Sequence, residues 1–156
     1  MKNKFIFTLA VLFMGLFFNF KPVYAAQPLS DPREGLYQPR REDLDLLAWV
    51  VRAEAGNQPV EGKRAVVDVV LNRVDSETFP DTIEEVIFQR GQFTCVGNGA
   101  LDRAARTVDE EDYLTVLMEL DNRTDDQILF FSTGKCRNGE FVCKIGDHYF
   151  GTLEEE

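Results

Sequence analysis

Between Leu44 and Gly56 the chain reads Leu-Asp-Leu-Leu-Ala-Trp-Val-Val-Arg-Ala-Glu-Ala-Gly, and a second apolar run follows from about Val60 to Arg73. Only Asn57-Gln58-Pro59 turns the chain between them. In both runs apolar residues recur at helical spacing, and in the second Val66, Val69 or Val70, and Arg73 fall on one face. The first helix, from Glu42 to Ala55, opens with acidic residues and has Gly56 as a C′ stop. Two helices joined by so short a turn lie antiparallel, and this pair constrains whatever the remainder of the chain forms around it.

One residue disturbs the first helix. Leu47, Val50 or Val51, and Glu54 fall on the same face, which should be buried, yet Glu54 carries a carboxylate. Left unpaired there, its charged form is disfavoured by desolvation, so it tends to hold a proton near neutral pH and can act as a general acid. The alternative is a rim position with an ordinary ion pair to Arg64 or Arg73. Periodicity leaves both readings open.

The chain begins differently. Lys2 and Lys4 precede an apolar run from Phe5 to Phe20, and Val23-Tyr24-Ala25-Ala26 offers cleavage after Ala25. Residues 1–25 therefore read as a secretory signal peptide, although the apolar run is also long enough for an uncleaved anchor. Residues 26–40, with Pro28, Pro32, Pro39 and Gly35, read as an extended leader too short to be a binding module. Residues 41–156 are expected to form one domain, because about 130 residues after cleavage suffice for one core and not for two. The expected location is secreted or periplasmic, in the cell envelope, with no stable membrane insertion once the signal is removed.

Charge narrows the partners. The chain has 27 acidic residues against 17 basic ones, and cleavage after Ala25 would remove Lys2, Lys4 and Lys21 but no acid. Nucleic acid demands clustered Lys and Arg, so it is excluded as a partner. A polysaccharide would be held by shape, hydrogen bonds and aromatic stacking instead. The same acidity also serves solubility alone.

Of the three cysteines, Cys136 and Cys143 bracket the hairpin signal Asn138-Gly139 and could bridge two short strands in an oxidising compartment. Cys95 would be left as a buried apolar residue or a reactive thiol. Further along, Thr82-Ile-Glu-Glu85 and Thr107-Val-Asp-Glu110 match capping boxes, the first opening a helix to about Phe88 and the second one to about Asn122. Between them, Gln89 to about Ala100 reads as a long irregular stretch of the kind that carries function. Ile128–Phe131, Glu140–Cys143 and His148–Phe150 read as short strands. The fold class is α+β, mainly α, with a short antiparallel β element.

Much chemistry is excluded. With one histidine and no CxxC pair, His-rich zinc sites and the HExxH pattern cannot be built, and no metal or cofactor is expected. Gly-rich phosphate loops are absent, and no GxSxG elbow accompanies His148. A Cys95–His148 nucleophilic pair survives on composition, beside a packing role for His148. Carboxylate acid–base work remains, and glycosidic cleavage is the reaction class that most relies on it. Hydrolysis would need a second carboxylate, with Asp68, Glu61, Glu84 and Glu85 as candidates. A transglycosylase needs only one, first as acid and then as base.

The ordered residues Leu47-Ala48, Ala53-Glu54-Ala55, Gly62, Ala65-Val66, Val69-Val70-Leu71-Asn72-Arg73-Val74, Phe79-Pro80, Ile83, Val86-Ile87 and Gly91-Gln92-Phe93 resemble the cell-wall hydrolase family typified by the spore-cortex-lytic enzyme SleB. So does the closing Ile145-Gly-Asp-His-Tyr-Phe150, and the match covers roughly residues 44–150. The resemblance implies a lysozyme-like domain acting as a lytic transglycosylase on peptidoglycan glycan strands, as a monomer. It maps the catalytic glutamate onto Glu54 and candidate substrate-binding residues onto Gln92, Phe93 and Tyr149. Gln92 and Phe93 would lie at or beneath the glycan groove, or simply fix a loop against the core. The spore enzyme's separate peptidoglycan-binding module has no counterpart in residues 26–40, so a spore-cortex role does not carry over. A muramidase-type hydrolase and a non-catalytic peptidoglycan-binding module are the other readings.

Overall fold

The computed structural model describes residues 40–135 and 139–154, all within one compact unit. The expected signal peptide, nearly all of the leader, and Cys136 lie outside the described residues. Among the described residues six helices precede three strands: α1 (Arg41–Ala55), α2 (Val60–Asp75), α3 (Ile83–Phe88), α4 (Thr94–Gly97), α5 (Ala100–Ala104), α6 (Glu110–Asp121), β1 (Phe130–Thr133), β2 (Glu140–Ile145) and β3 (His148–Thr152). The strands form one antiparallel sheet in the order β1-β3-β2. This is the mainly helical α+β architecture expected from the sequence.

The α1–α2 pair forms the centre. α1 buries Leu47, Val50 and Val51, the face anticipated from periodicity. α2 is buried all round: Val66, Val67, Val69 and Val70 are fully inaccessible, and Lys63, Asp68, Asn72 and Arg73 are buried with them. A helix enclosed on every side cannot leave polar side chains unpaired without losing free energy, about 1–3 kcal/mol for each orphaned group. Lys63 accordingly reaches Glu111 at 2.6 Å and Asp112 at 3.3 Å on α6. Asn72 donates to the carbonyls of Asp125 and Ile128, and Arg73 Nε donates to that of Leu129. The Arg73 guanidinium also lies over the rings of Phe79, Phe93 and Phe130, 5.0, 5.3 and 5.6 Å from their centroids.

These bonds explain a boundary the sequence misplaced. Ile128 and Leu129 are buried and apolar, yet the strand starts at Phe130, because their carbonyls are already taken by α2. The second capping box is also displaced. Asp109 is the N-cap of α6 and exchanges hydrogen bonds with Asp112, while the Thr107 hydroxyl donates backwards to the carbonyl of Arg103. Thr82 caps α3 as expected, accepting from the Glu85 N–H. Gly56 ends α1 without the left-handed geometry expected of a C′ glycine, its φ being −59°.

Asn138 of the expected Asn138-Gly139 hairpin lies outside the described residues, and a tight hairpin is seen at a second place. It joins β2 to β3 through Gly146-Asp147, with Ile145 paired to His148. Gly146 has φ +55°, where another residue would be strained, and a Cβ there would fall 2.2 Å from the Gln58 Oε1 and displace that side chain. Gln58 Oε1 accepts the Asp147 N–H at 2.9 Å. The hairpin turn is thus docked on the turn between α1 and α2, which brings the start of β3 to the end of α1. Cys143 is a free, half-buried thiol on β2 opposite Phe150.

Asp68 shows the cost of enclosing α2. Its carboxyl is pushed up to about 9 by burial, then by the hydrogen bond to and the charge of the buried Glu119, against the opposing Asp125 N–H and Arg123. Glu119 is itself held by Arg64 and by the backbone and hydroxyl of Thr124. A raised carboxyl favours the fold when protonated. The stability it contributes is complete below the unfolded value of 3.8 and is lost as pH rises towards about 9. Asp68→Asn cannot ionise, so its thermal midpoint should decline less than the wild type's across that interval. Parallel curves for the two proteins, followed by circular dichroism against pH, would count against this account.

Candidate active site

Glu54 lies in the last turn of α1, half-buried, with Leu47, Val50 and Val51 on the core side of the same helix. Neither arginine offered by the ion-pair reading reaches it. Arg64 is committed to Glu119, and Arg73 to the Leu129 carbonyl and three phenylalanine rings. Glu54 Oε1 instead accepts the backbone N–H of Cys95 at 3.0 Å, with the Thr94 hydroxyl at 3.5 Å. Both belong to the first turn of α4, whose free N–H groups need acceptors. A carboxylate from α1 therefore satisfies α4, and the stretch expected to be irregular contains the short helix α4 and ends where α5 begins.

Beside Glu54 opens a cleft of about 290 Å³, lined also by Gln92, Thr94, Phe131, Ser132, Thr133 and His148. Three hydroxyls, an amide, an imidazole and one aromatic ring surround a single carboxylate. Such walls suit a neutral, hydroxyl-rich ligand. None of the candidate second carboxylates lines the cleft. Asp68 is buried in α2 against Glu119, and Glu61, Glu84 and Glu85 are exposed elsewhere.

The expected binding residues divide. Gln92 is exposed on the cleft wall. Phe93 is only 3% exposed and lies beneath the surface, 6.1 Å from the Phe131 ring and under the Arg73 guanidinium. It supports the wall. Tyr149 does not line the cleft: its ring packs against Phe141 at 6.2 Å and carries the Lys144 ammonium at 5.0 Å. Successive residues of a strand face opposite sides, so placing Tyr149 outside turns His148 and Phe150 inward. His148 was the residue missed as a cleft component. The signal for it is the alternation of His148-Tyr149-Phe150.

His148 is 3% exposed, and its ring packs 5.2 Å from Phe131 and 6.0 Å from Phe150. Burial lowers its pKa below the ordinary 6.5, against the opposing charges of Glu54 and Asp147. Cys95, its proposed nucleophilic partner, is 1% exposed. Its thiol is pushed up to about 12, chiefly by burial and then by its hydrogen bond to and the charge of Glu54. A nucleophilic cysteine needs an accessible thiolate, and this environment opposes one.

Fold and cleft together define a lysozyme-like α+β domain with one carboxylate at the mouth of a polar groove. A family model described as Cell Wall Hydrolase matches residues 57–151, and the chain belongs to that family. The matched span starts just past Glu54. Two solved structures are similar across most of the described domain. The catalytic domain of Bacillus cereus SleB is 29% identical with a TM-score of 0.65, covering 74% of this chain and 93% of that one. The catalytic domain of the germination-specific lytic transglycosylase SleB from Bacillus anthracis is 29% identical with a TM-score of 0.64, covering 73% and 97%. Among curated relatives, a spore cortex-lytic enzyme of Oceanobacillus iheyensis is 44% identical over 61 residues, 39% of this chain and 22% of that protein. Its counterpart in Bacillus subtilis is 42% identical over 59 residues, 38% of this chain and 19% of that protein. The matched stretch thus spans about a fifth of these relatives' length.

A buried thiol of this kind should resist alkylation. Native protein treated with iodoacetamide should remain unmodified at Cys95 by peptide mass mapping. Carbamidomethylation of Cys95 would restore it as a nucleophile candidate.

Proposed function

We propose that this chain is an exported lytic transglycosylase that cleaves the MurNAc–GlcNAc β-1,4 bond of peptidoglycan, with Glu54 as its single catalytic carboxylate. The observation that carries the reading is that Glu54 is the one acid on the cleft wall among the described residues, facing hydroxyls and an amide suited to a glycan. Protonated Glu54 gives its proton to the glycosidic oxygen as the C1–O bond breaks. The resulting carboxylate then takes the proton of the same sugar's C6 hydroxyl, whose oxygen closes on C1. The product carries a 1,6-anhydro ring, no water is consumed, and Glu54 ends protonated.

A hydrolase would place a second carboxyl about 5–5.5 Å or 6.5–9.5 Å from the first, depending on stereochemistry. Among the described residues no other carboxyl lines the cleft. Export rests on residues 1–25 as a signal peptide, with residues 26–40 as leader and 41–156 as a monomeric catalytic domain in the cell envelope. With its acidic surface, the protein holds the glycan by hydrogen bonds and stacking rather than by charge.

The products decide the matter. Incubated with purified peptidoglycan, residues 26–156 should release fragments with 1,6-anhydromuramic ends, each lighter by one water than a hydrolysed end. Hydrated reducing ends would identify a muramidase, and glycan binding without any cleavage would identify a non-catalytic module. Glu54→Gln should lower turnover by about 10²–10⁴-fold while the thermal midpoint stays near wild type. Full activity in that variant would remove the catalytic assignment.

A further inference from the structure

His148 is enclosed by Phe131 and Phe150, and its Nδ1 is buried without any hydrogen-bond partner. An orphaned nitrogen in a nearly inaccessible side chain costs free energy, so its persistence needs a reason. The same ring lines the cleft that holds Glu54. With Nδ1 buried and the residue on the cleft lining, Nε2 is the ring nitrogen that remains for a ligand there. The charged groups acting on it are Glu54 of α1 and Asp147 of the β2–β3 turn. β1 contributes the uncharged Phe131 to its surroundings, and β2 pairs Ile145 with it.

We infer that His148 is a substrate-contacting residue of this cleft, a neutral imidazole whose Nε2 hydrogen-bonds the sugar that lies over Glu54. The inference rests on the glycan-cleaving reading and adds a second polar residue to it. Neutrality is built into the position. An imidazolium would carry a buried Nδ1–H with no acceptor, and its positive charge would hold the Glu54 carboxylate ionised, opposing the proton that the first step requires. The ring neither gives nor takes a proton in the reaction. Phe131 stacks beside it as the apolar neighbour of the same subsite.

His148→Phe preserves a ring among Phe131 and Phe150 but removes the hydrogen bond. His148→Gln keeps a neutral polar group without a titrating one. With purified peptidoglycan at saturating and limiting concentrations, the Phe variant should lose about tenfold or more in kcat/KM while melting near wild type. Wild-type kcat/KM should fall on the acid side as His148 becomes charged, and the Gln variant should keep activity within a few-fold and lack that fall. A folded Phe variant with wild-type kcat/KM would overturn the inference. If the Phe variant fails to fold, an acid limb unchanged in the Gln variant overturns it equally. Glu54→Gln, assayed alongside, separates the two claims: an active Glu54→Gln defeats the parent reading, whereas an inactive one beside an unaffected His148→Phe defeats this inference alone.

Discussion

The enclosure of α2 is the constraint on which the other elements depend. A helix with valines on every side must sit at the centre, and its polar residues must then find partners inside the protein. Lys63 fixes α6 through Glu111 and Asp112, while Asn72 and Arg73 fix the chain leading into β1 through the carbonyls of Asp125, Ile128 and Leu129. α2 therefore orients neighbours by hydrogen bonds as well as by packing. Burying Asp68 against Glu119 is the unfavourable side of the same arrangement.

The cleft arises where two turns meet. Gln58, between α1 and α2, receives the Asp147 N–H between β2 and β3, and Gly146 permits the close approach. This contact sets Glu54 at the end of one element near His148 at the start of another. The carboxylate is meanwhile oriented by the first turn of α4, so helix-end chemistry and site geometry are the same hydrogen bonds. That economy has a structural consequence: the loop bearing Gln92 and Phe93 is ordered from the glutamate side of the cleft.

What could be read in the sequence was local. Helical periodicity locates α1 and α2 and the Leu47-Val50-Val51-Glu54 face, and the Thr82 cap locates α3. Whatever depended on a distant partner was not legible. α4 is short and takes its N-terminal acceptor from α1. The start of β1 is delayed because α2 side chains occupy the preceding carbonyls. Asp109 displaces Thr107 as a cap because Arg52 of α1 also pairs with it. In the site, Glu54 and Gln92 lie on the cleft wall and Phe93 beneath it, whereas strand alternation turns Tyr149 away from the cleft and its neighbour His148 into it.

The strand order has a kinetic implication. β3 is the last described strand in the sequence and the middle one in the sheet, so β1 and β2 have no ladder partner until it arrives. The groove wall opposite Glu54 is built from β1 and β3, and closing it joins the first described helix to the last described strand. Contacts of such wide sequence separation form late, after the entropy of the intervening chain has been overcome. A helical subdomain can gather while the chain is still emerging, but the cleft itself comes into being only when the C-terminal strand inserts. A nascent or clipped chain lacking that strand would hold its glutamate on an open helix end, without the opposing wall that makes the cleft.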